Sequence, residues 1–274
     1  MAKSKQRLDT FLVEQKLCSS RQQAQRLIRA GEVFVNQQRI DKPGTLVELT
    51  AKIHLKEKPP YVSRGGEKLA QALTSFNLPV TGRICLDGGI STGGFTDCLL
   101  QAGAKLVYGV DVGYGQVAWM LRQDERVRLR ERTNLRYLTG DVLYKGETWA
   151  DLAVMDVSFI SLTKVLVPLW NLLVSPRDAV LLIKPQFEVG KERVGKKGVV
   201  RDPKDQAIAI LQVMEAAKGI GWTVQGLTVS PIQGPAGNIE YLLWVNTLAP
   251  TGEWTVEGVK QLTGSAIAQF HNAP

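Results

Sequence analysis

Two charged residues stand directly behind apolar runs: Asp156 after residues 152–155 and Lys184 after residues 179–183. Runs of that kind predict buried strands, and a charge at a strand's carboxyl end lies where ligands bind in open α/β sheets. One such charge is ordinarily a satisfied surface residue. Two behind consecutive strands, with Lys184 locked against Pro185 and a glycine-rich loop on the same edge, predict a site. A lysine can take a proton when burial and a neighbouring cation disfavour its charged form, so two lysines held close are the expected device. The segments SRGGEKL (63–69) and GNIEY (237–241) supply the second lysine, Lys68, and a further acid, Glu240. Lys68 falls in a predicted helix, where an exposed lysine is commonplace. Phe159, three residues past Asp156, could stack on a planar ligand, but core packing is the expected role for it.

The segment DGGISTGGFTD (87–97) places an acid and glycines behind another predicted strand and then enters a helix. Its glycines let the chain turn sharply and let a ligand lie against the backbone, while Asp87 can orient a polar ligand or the loop itself. The pattern is not GxGxxG, which weakens a dinucleotide reading. The next predicted strand ends on Asp111, which can accept hydrogen bonds from ribose hydroxyls or cap a helix. Nicotinamide enzymes also place an acid there, so position alone leaves the choice open. Thr133 and Asn134 can border the same pocket or serve as turn formers.

The hydrophobic pattern supplies a scaffold for these positions. From Arg83 onward, apolar runs at 84–86, 106–110, 152–155, 179–183, 227–229 and 241–245 alternate with helical stretches. That rhythm predicts an α/β, Rossmann-like doubly wound domain with a mostly parallel sheet. The beginning of the chain reads differently. Leu8, Phe11, Leu12 and Leu17 have mostly helical spacing over 7–17, Ser19 and Ser20 can cap a second helix over 21–30, and Gly31 stops it. On that helix Ala24, Leu27 and Ile28 form an apolar stripe, while Arg21, Gln25 and Arg29 recur on another face. Val33, Val35 and Ile40 around Asn36 and Gln37 predict short strands about a turn. The expected organisation is a small α+β domain over 1–58, a junction at 59–62 containing Pro59 and Pro60, and a larger domain over 63–274.

A chain of 274 residues that is 44% hydrophobic can bury the core of one or two domains. Its 34 Lys and Arg against 26 Asp and Glu give a net charge of +8, which favours polyanionic partners. The start has no apolar stretch of signal-peptide length, and no run approaches the roughly 20 apolar residues of a membrane span. A cytoplasmic protein without a membrane partner is expected. Cys18, Cys85 and Cys98 form no CxxC pair, and His54 and His271 lie far apart. A metal site, a disulfide framework or a Ser-His-Asp triad therefore has little material.

The strings RLDTFLVE (7–14) and SSRQQAQRLIRAGEVFVN (19–36) resemble the S4 family of RNA-binding domains. The resemblance implies that Arg7, Ser20, Arg21, Gln25 and Arg29 lie on or near an RNA-facing surface. The loop at 87–97, with GVD at 109–111, is similar to the S-adenosyl-L-methionine site of FtsJ-like and TlyA-like methyltransferases. By that likeness Asp87, Gly89, Ser91, Thr92, Gly93, Gly94 and Phe95 hold the amino-acid part of the cofactor, Asp111 its ribose, and Thr133 and Asn134 approach it. Lys68, Asp156, Lys184 and Glu240 match in order the K-D-K-E tetrad of 2′-O-ribose methyltransferases. The match implies Lys184 as general base on the 2′-hydroxyl, Asp156 as its orienting partner, and Lys68 and Glu240 as supports. Such a transfer is an in-line displacement that needs a positioned oxygen and removal of its proton, and no metal. Residues 187–202, with Lys191, Arg193, Lys196, Lys197 and then Arg201, read as a mobile substrate-side loop contacting phosphates, joined by Arg64.

The match extends over nearly the whole chain and most resembles the TlyA family of ribosomal RNA cytidine 2′-O-methyltransferases. It implies ribosomal RNA or ribosomal subunits as the partner. The short arm before Arg7 and short tail after Trp254 are similar to the compact members, which makes 23S RNA the expected target and 16S RNA the further candidate. Gly88 and Ile90 depart from the family pattern, which has a bulkier residue and an alanine there. The family is often labelled haemolysin, so a membrane-lytic protein is the rival from another class; the long apolar or strongly amphipathic segment it needs is not found. A non-enzymatic RNA-binding module is opposed by the intact strand-end charges, and a nicotinamide oxidoreductase is separated by which ligand raises the melting temperature. Oligomeric state is not legible.

Overall fold

The computed structural model describes residues 5–56, 59–250 and 252–271. Glu57 and Lys58, in the stretch leading to the expected junction, lie outside the described residues, as does the side chain of His271. The chain divides into two units, Met1–Pro59 and Pro60–Pro274.

The smaller unit runs β1 (Lys5–Arg7), α1 (Leu8–Glu14), α2 (Arg21–Arg29), β2 (Val33–Val35), β3 (Gln38–Arg39), β4 (Leu46–Glu48) and β5 (Ile53–Leu55). Leu8, Phe11 and Leu12 of α1 meet Ala24 and Ile28 of α2 over Val33 and Val47, a core that neither helix could bury alone. Ser20 caps α2 by accepting the Gln23 backbone N–H at 3.2 Å, and Gly31 ends it with φ +69°. Asn36 and Gln37 both have positive φ, as a tight hairpin turn between β2 and β3 requires. α1 stops three residues before the expected 17, because the chain turns through Lys16 at φ +58°.

The larger unit runs α3 (Gly65–Ser75), β6 (Ile84–Gly88), α4 (Gly94–Gln101), β7 (Leu106–Val110), α5 (Trp119–Arg122), β8 (Val127–Arg130) and α6 (Gly140–Tyr144). It continues through β9 (Ala150–Met155), α7 (Leu166–Asn171), β10 (Leu173–Ile183), α8 (Pro185–Glu188), α9 (Pro203–Lys218), β11 (Thr223–Val229), β12 (Tyr241–Asn246) and α10 (Val256–His271). These strands form one sheet in the order β11-β12-β10-β9-β6-β7-β8. β12 is antiparallel to both neighbours, and the remaining neighbouring pairs are parallel. Alternate residues of the central strands enter opposite cores: Leu152 and Val154 pack with α3 and α4, whereas Ala153 and Met155 pack with α7 and α9. Burial on both faces is why these strands read as unbroken apolar runs. β8 escaped the sequence reading because it is an edge strand in which Arg128 and Arg130 alternate with Val127 and Leu129.

Candidate active site

Four strands bring their carboxyl ends to one edge of the sheet. Asp87 lies near the end of β6, Asp111 follows β7, Asp156 follows β9 and Lys184 follows β10. Glu240 reaches the same edge by the opposite route. β12 runs antiparallel, so its first residue, Tyr241, pairs with Ile183, and Glu240 arrives beside the end of β10. Lys68 comes from the first turns of α3.

The charged groups meet as two ion pairs. Lys184 Nζ lies 2.5 Å from Asp156 Oδ1 and donates to Ser158 Oγ at 2.8 Å. Asp156 Oδ1 accepts no hydrogen bond among the described residues, so that contact is one of charge, and the hydrogen bond of the ammonium goes to Ser158. Lys68 pairs with Glu240, both buried. Each amine faces a carboxylate, a partner the expectation of two lysines held close did not include, and the pairing offsets the cost of burying the charge.

These pairs separate two cavities. One, of about 230 Å³, is lined by Lys68, Asp156, Arg64 and the glycine loop, including Gly89, Ser91, Thr92, Gly94 and Phe95. The other, of about 370 Å³, is lined by Lys184, Glu240, Phe159, Phe187 and Lys197. Each ion pair has one member on each cavity, and Pro235 lines both.

The glycine loop is shaped by its contact with the Asp156 segment. Gly89 has φ +88°, and a Cβ there would overlap the Asp156 carbonyl oxygen; Asp156 N–H in turn donates to the Gly88 carbonyl at 3.1 Å. Gly93, at φ +101°, leads into α4 and packs against Leu121. Asp87 is fully buried, accepts from Thr96 Oγ1 at 2.7 Å through one oxygen, and has no hydrogen-bond partner for the other among the described residues. Burial pushes its carboxyl up to about 7; the Thr96 bond opposes that rise and the charge of Asp156 adds to it. Asp111 is not a helix cap. It accepts the Ser91 N–H at 2.8 Å and the Gly113 N–H at 2.6 Å, tying the loops behind β6 and β7 together. Thr133 and Asn134 do not line either cavity: Thr133 N–H donates to the Asp111 carbonyl at 2.8 Å, and the Asn134 side chain accepts the Arg136 N–H at 3.0 Å as a turn former.

On the substrate side, residues 187–202 fold into short turns rather than an open loop. Asn238, buried, accepts the Val200 N–H at 2.9 Å and donates to the Gly198 carbonyl at 2.8 Å. Arg193 is committed to Asp205 at 2.7 Å, while Lys191, Lys196 and Arg201 are exposed. Phe159 corrects an expectation. It is 92% exposed with φ +63°, its ring 5.2 Å from that of Phe187, so it belongs to the second cavity and not to a core. In the smaller unit Ser20 serves as the cap of α2, Arg29 is exposed, and Arg7, Arg21 and Gln25 converge on Asp9. Sequence reasoning missed Ser158, Glu188, Asn238 and Asp9. Glu188 accepts Leu162 N–H at 2.9 Å and Ser161 Oγ at 2.6 Å, bonds across 26 and 27 residues that no local pattern encodes.

A model of the FtsJ-like methyltransferase family matches residues 61–247, and a model of the S4 domain matches residues 6–53. The 16S/23S rRNA (cytidine-2′-O)-methyltransferase TlyA of Mycobacterium tuberculosis is 48% identical over 243 residues, 88% of this chain and 90% of that one. The chain belongs to the TlyA family of FtsJ-like methyltransferases. Hemolysin A of Brachyspira hyodysenteriae is 39% identical over 236 residues, covering 86% of this chain and 98% of that protein. A solved structure from Streptococcus thermophilus, provisionally described as a hemolysin, superposes with a TM-score of 0.74 at 43% identity over 98% of both chains. In this TlyA-family methyltransferase both ion pairs and the whole glycine loop fall within the FtsJ-like match, and Arg7, Arg21, Gln25 and Arg29 within the S4 match. The residues fit S-adenosylmethionine. Its ammonium and ribose hydroxyls need acceptors; neither Asp87 nor Asp111 lines the glycine-edged cavity itself, but the orphaned, buried Asp87 oxygen lies at the start of the loop that does and the Asp111 carboxylate bonds Ser91 of that loop.

Proposed function

We propose that this chain transfers a methyl group from S-adenosylmethionine to the 2′-oxygen of a cytidine in ribosomal RNA, with 23S RNA as a target and 16S RNA as a second. The observation that carries the reading is the wall of two ion pairs between a cofactor-side and a substrate-side cavity. When bound, S-adenosylmethionine supplies an electrophilic methyl group on a sulfonium. Asp87 and the Gly89–Gly94 loop would hold its amino-acid end and Asp111 its ribose. As the neutral amine, having first given up a proton, Lys184 takes the proton that leaves the 2′-hydroxyl as the new C–O bond forms, and Asp156 stabilises the ammonium this makes. Lys68 and Glu240 neutralise each other within the wall and fix its shape. Phe159 and Phe187 offer ring faces to the target base beside Lys184. Among the described residues no helix is long and apolar enough to cross a membrane. A ribosomal RNA substrate places the working protein in the cytoplasm.

The test is transfer of labelled methyl to purified ribosomal subunits and to naked ribosomal RNA, with the product mapped by resistance to alkaline cleavage. Wild type is expected to label a cytidine 2′-oxygen, and Lys184→Ala to lose about 10²–10⁴-fold in rate while still binding cofactor. Cofactor binding without label on any ribosomal RNA would overturn the substrate, and label elsewhere on the nucleotide the reaction.

A further inference from the structure

Asp9 is a buried carboxylate that the reaction does not use. It lies in the first turn of α1, fully buried, in a chain where an apolar residue would pack at lower cost. It accepts Arg7 Nε at 3.1 Å and Arg7 Nη2 at 2.9 Å, Arg21 Nε at 2.9 Å and Gln25 Nε2 at 2.9 Å. Arg21 and Gln25 are neighbours on successive turns of α2, and Arg7 ends β1, so one acid joins β1 to that face of α2. The bonds with Arg7 and Arg21 hold its carboxyl well below the usual carboxylate range against the opposing effect of burial.

The guanidinium groups themselves are not buried. The Arg7 side chain is 46% exposed and that of Arg21 56% exposed. Arg21 meets Asp9 through Nε, which leaves the outer edge of its guanidinium free to point at a ligand. Two flexible cations that would otherwise repel are thereby frozen side by side, with a net charge of +1 across the cluster. Planar donors fixed in this way suit the paired oxygens of a phosphodiester. We propose that Asp9 is a positioning residue for RNA: it assembles Arg7, Arg21 and Gln25 into one clamp for a backbone phosphate of the substrate RNA. The inference rests on the reading of ribosomal RNA as substrate.

Asp9→Asn separates positioning from simple attraction, because the two predict opposite signs. Removing the acid raises the net charge from +8 to about +9, which by counterion release alone strengthens RNA binding. Loss of the clamp instead weakens it. With full-length protein and deproteinised 23S RNA, affinity at about 100 mM salt is expected to fall about tenfold, and the slope of log K against log salt to shrink by about one phosphate. A residue that merely holds the fold would not alter that slope in molecules that remain folded, which a melting curve on the same samples checks. Arg21→Lys, at an exposed position, keeps the charge and removes the fork, and is expected to lose affinity to a similar extent. Wild-type or tighter binding by either variant, or weaker binding by Asp9→Asn with an unchanged slope, overturns the clamp. If the wild type itself has no salt-dependent affinity for ribosomal RNA, the substrate reading falls first and takes the clamp with it.

Discussion

At the scale of single residues, the cofactor-side cavity turns on a carboxyl and a glycine. Asp87 has its carboxyl raised by burial to about 7, so the unliganded fold favours its protonated form. The sign follows: relative to the unfolded chain, the stability from this group is fully present below the unfolded value of about 4 and is lost as pH rises through about 7. A cofactor ammonium beside the free Asp87 oxygen favours the carboxylate, so binding should release a proton near pH 7. Calorimetric titration of S-adenosylmethionine in two buffers of different ionisation enthalpy is expected to show that release, and Asp87→Asn to abolish it. Gly89 is constrained twice, by φ +88° and by the Asp156 carbonyl. Gly89→Ala should cost about 1–3 kcal/mol of stability and, by shifting the Asp156 segment, about 10²-fold in methyl transfer. Chemical denaturation and single-turnover rates read the two effects separately.

At the scale of elements, the reacting residues stand on adjacent parallel strands, but the loops behind those strands must also be held in step. Glu188, at the end of α8, bonds Ser161 and Leu162 in the loop after β9, so it clasps the segment carrying Ser158 and Phe159 to the segment carrying Lys184. Burial raises its carboxyl while those two bonds oppose the rise. Glu188→Ala leaves the Leu162 N–H without its partner and should cost about 1–3 kcal/mol in urea unfolding. Because the clasp lies on the Lys184 side, the turnover rate is expected to fall while the dissociation constant for S-adenosylmethionine stays within about twofold. Equal loss of both would show that Glu188 supports the whole edge. The helical spacing of α2 and the apolar runs of β6, β7, β9 and β10 were legible because each repeats within a few residues. The start of β10 was not, since Ser175, Pro176 and Arg177 interrupt its apolar pattern.

At the scale of the molecule, the excess of basic residues sets how the chain meets a polyanion. If the clamp and the substrate-side cations engage about five phosphates, raising salt from about 50 to about 200 mM should weaken 23S RNA binding about 10²–10³-fold. Cofactor affinity, set in a cavity of fixed dipoles, should change little over the same range; parallel filter-binding and calorimetric measurements make the comparison. The sequence by itself determined the two kinds of domain, the strand-end placement of Asp156 and Lys184, and the glycine loop, because periodicity, strand-end charge and missing Cβ atoms are local properties. Tertiary structure alone decided the rest. The reversal of β12 brought Glu240 to the edge that the parallel strands had already populated, and packing paired Lys68 with Glu240 and Lys184 with Asp156. Phe159 left the core for solvent, and Asp9 acquired three partners from two other elements. A carboxylate's partners are fixed by which elements pack against it, and packing joins residues whose separation along the chain carries no signal.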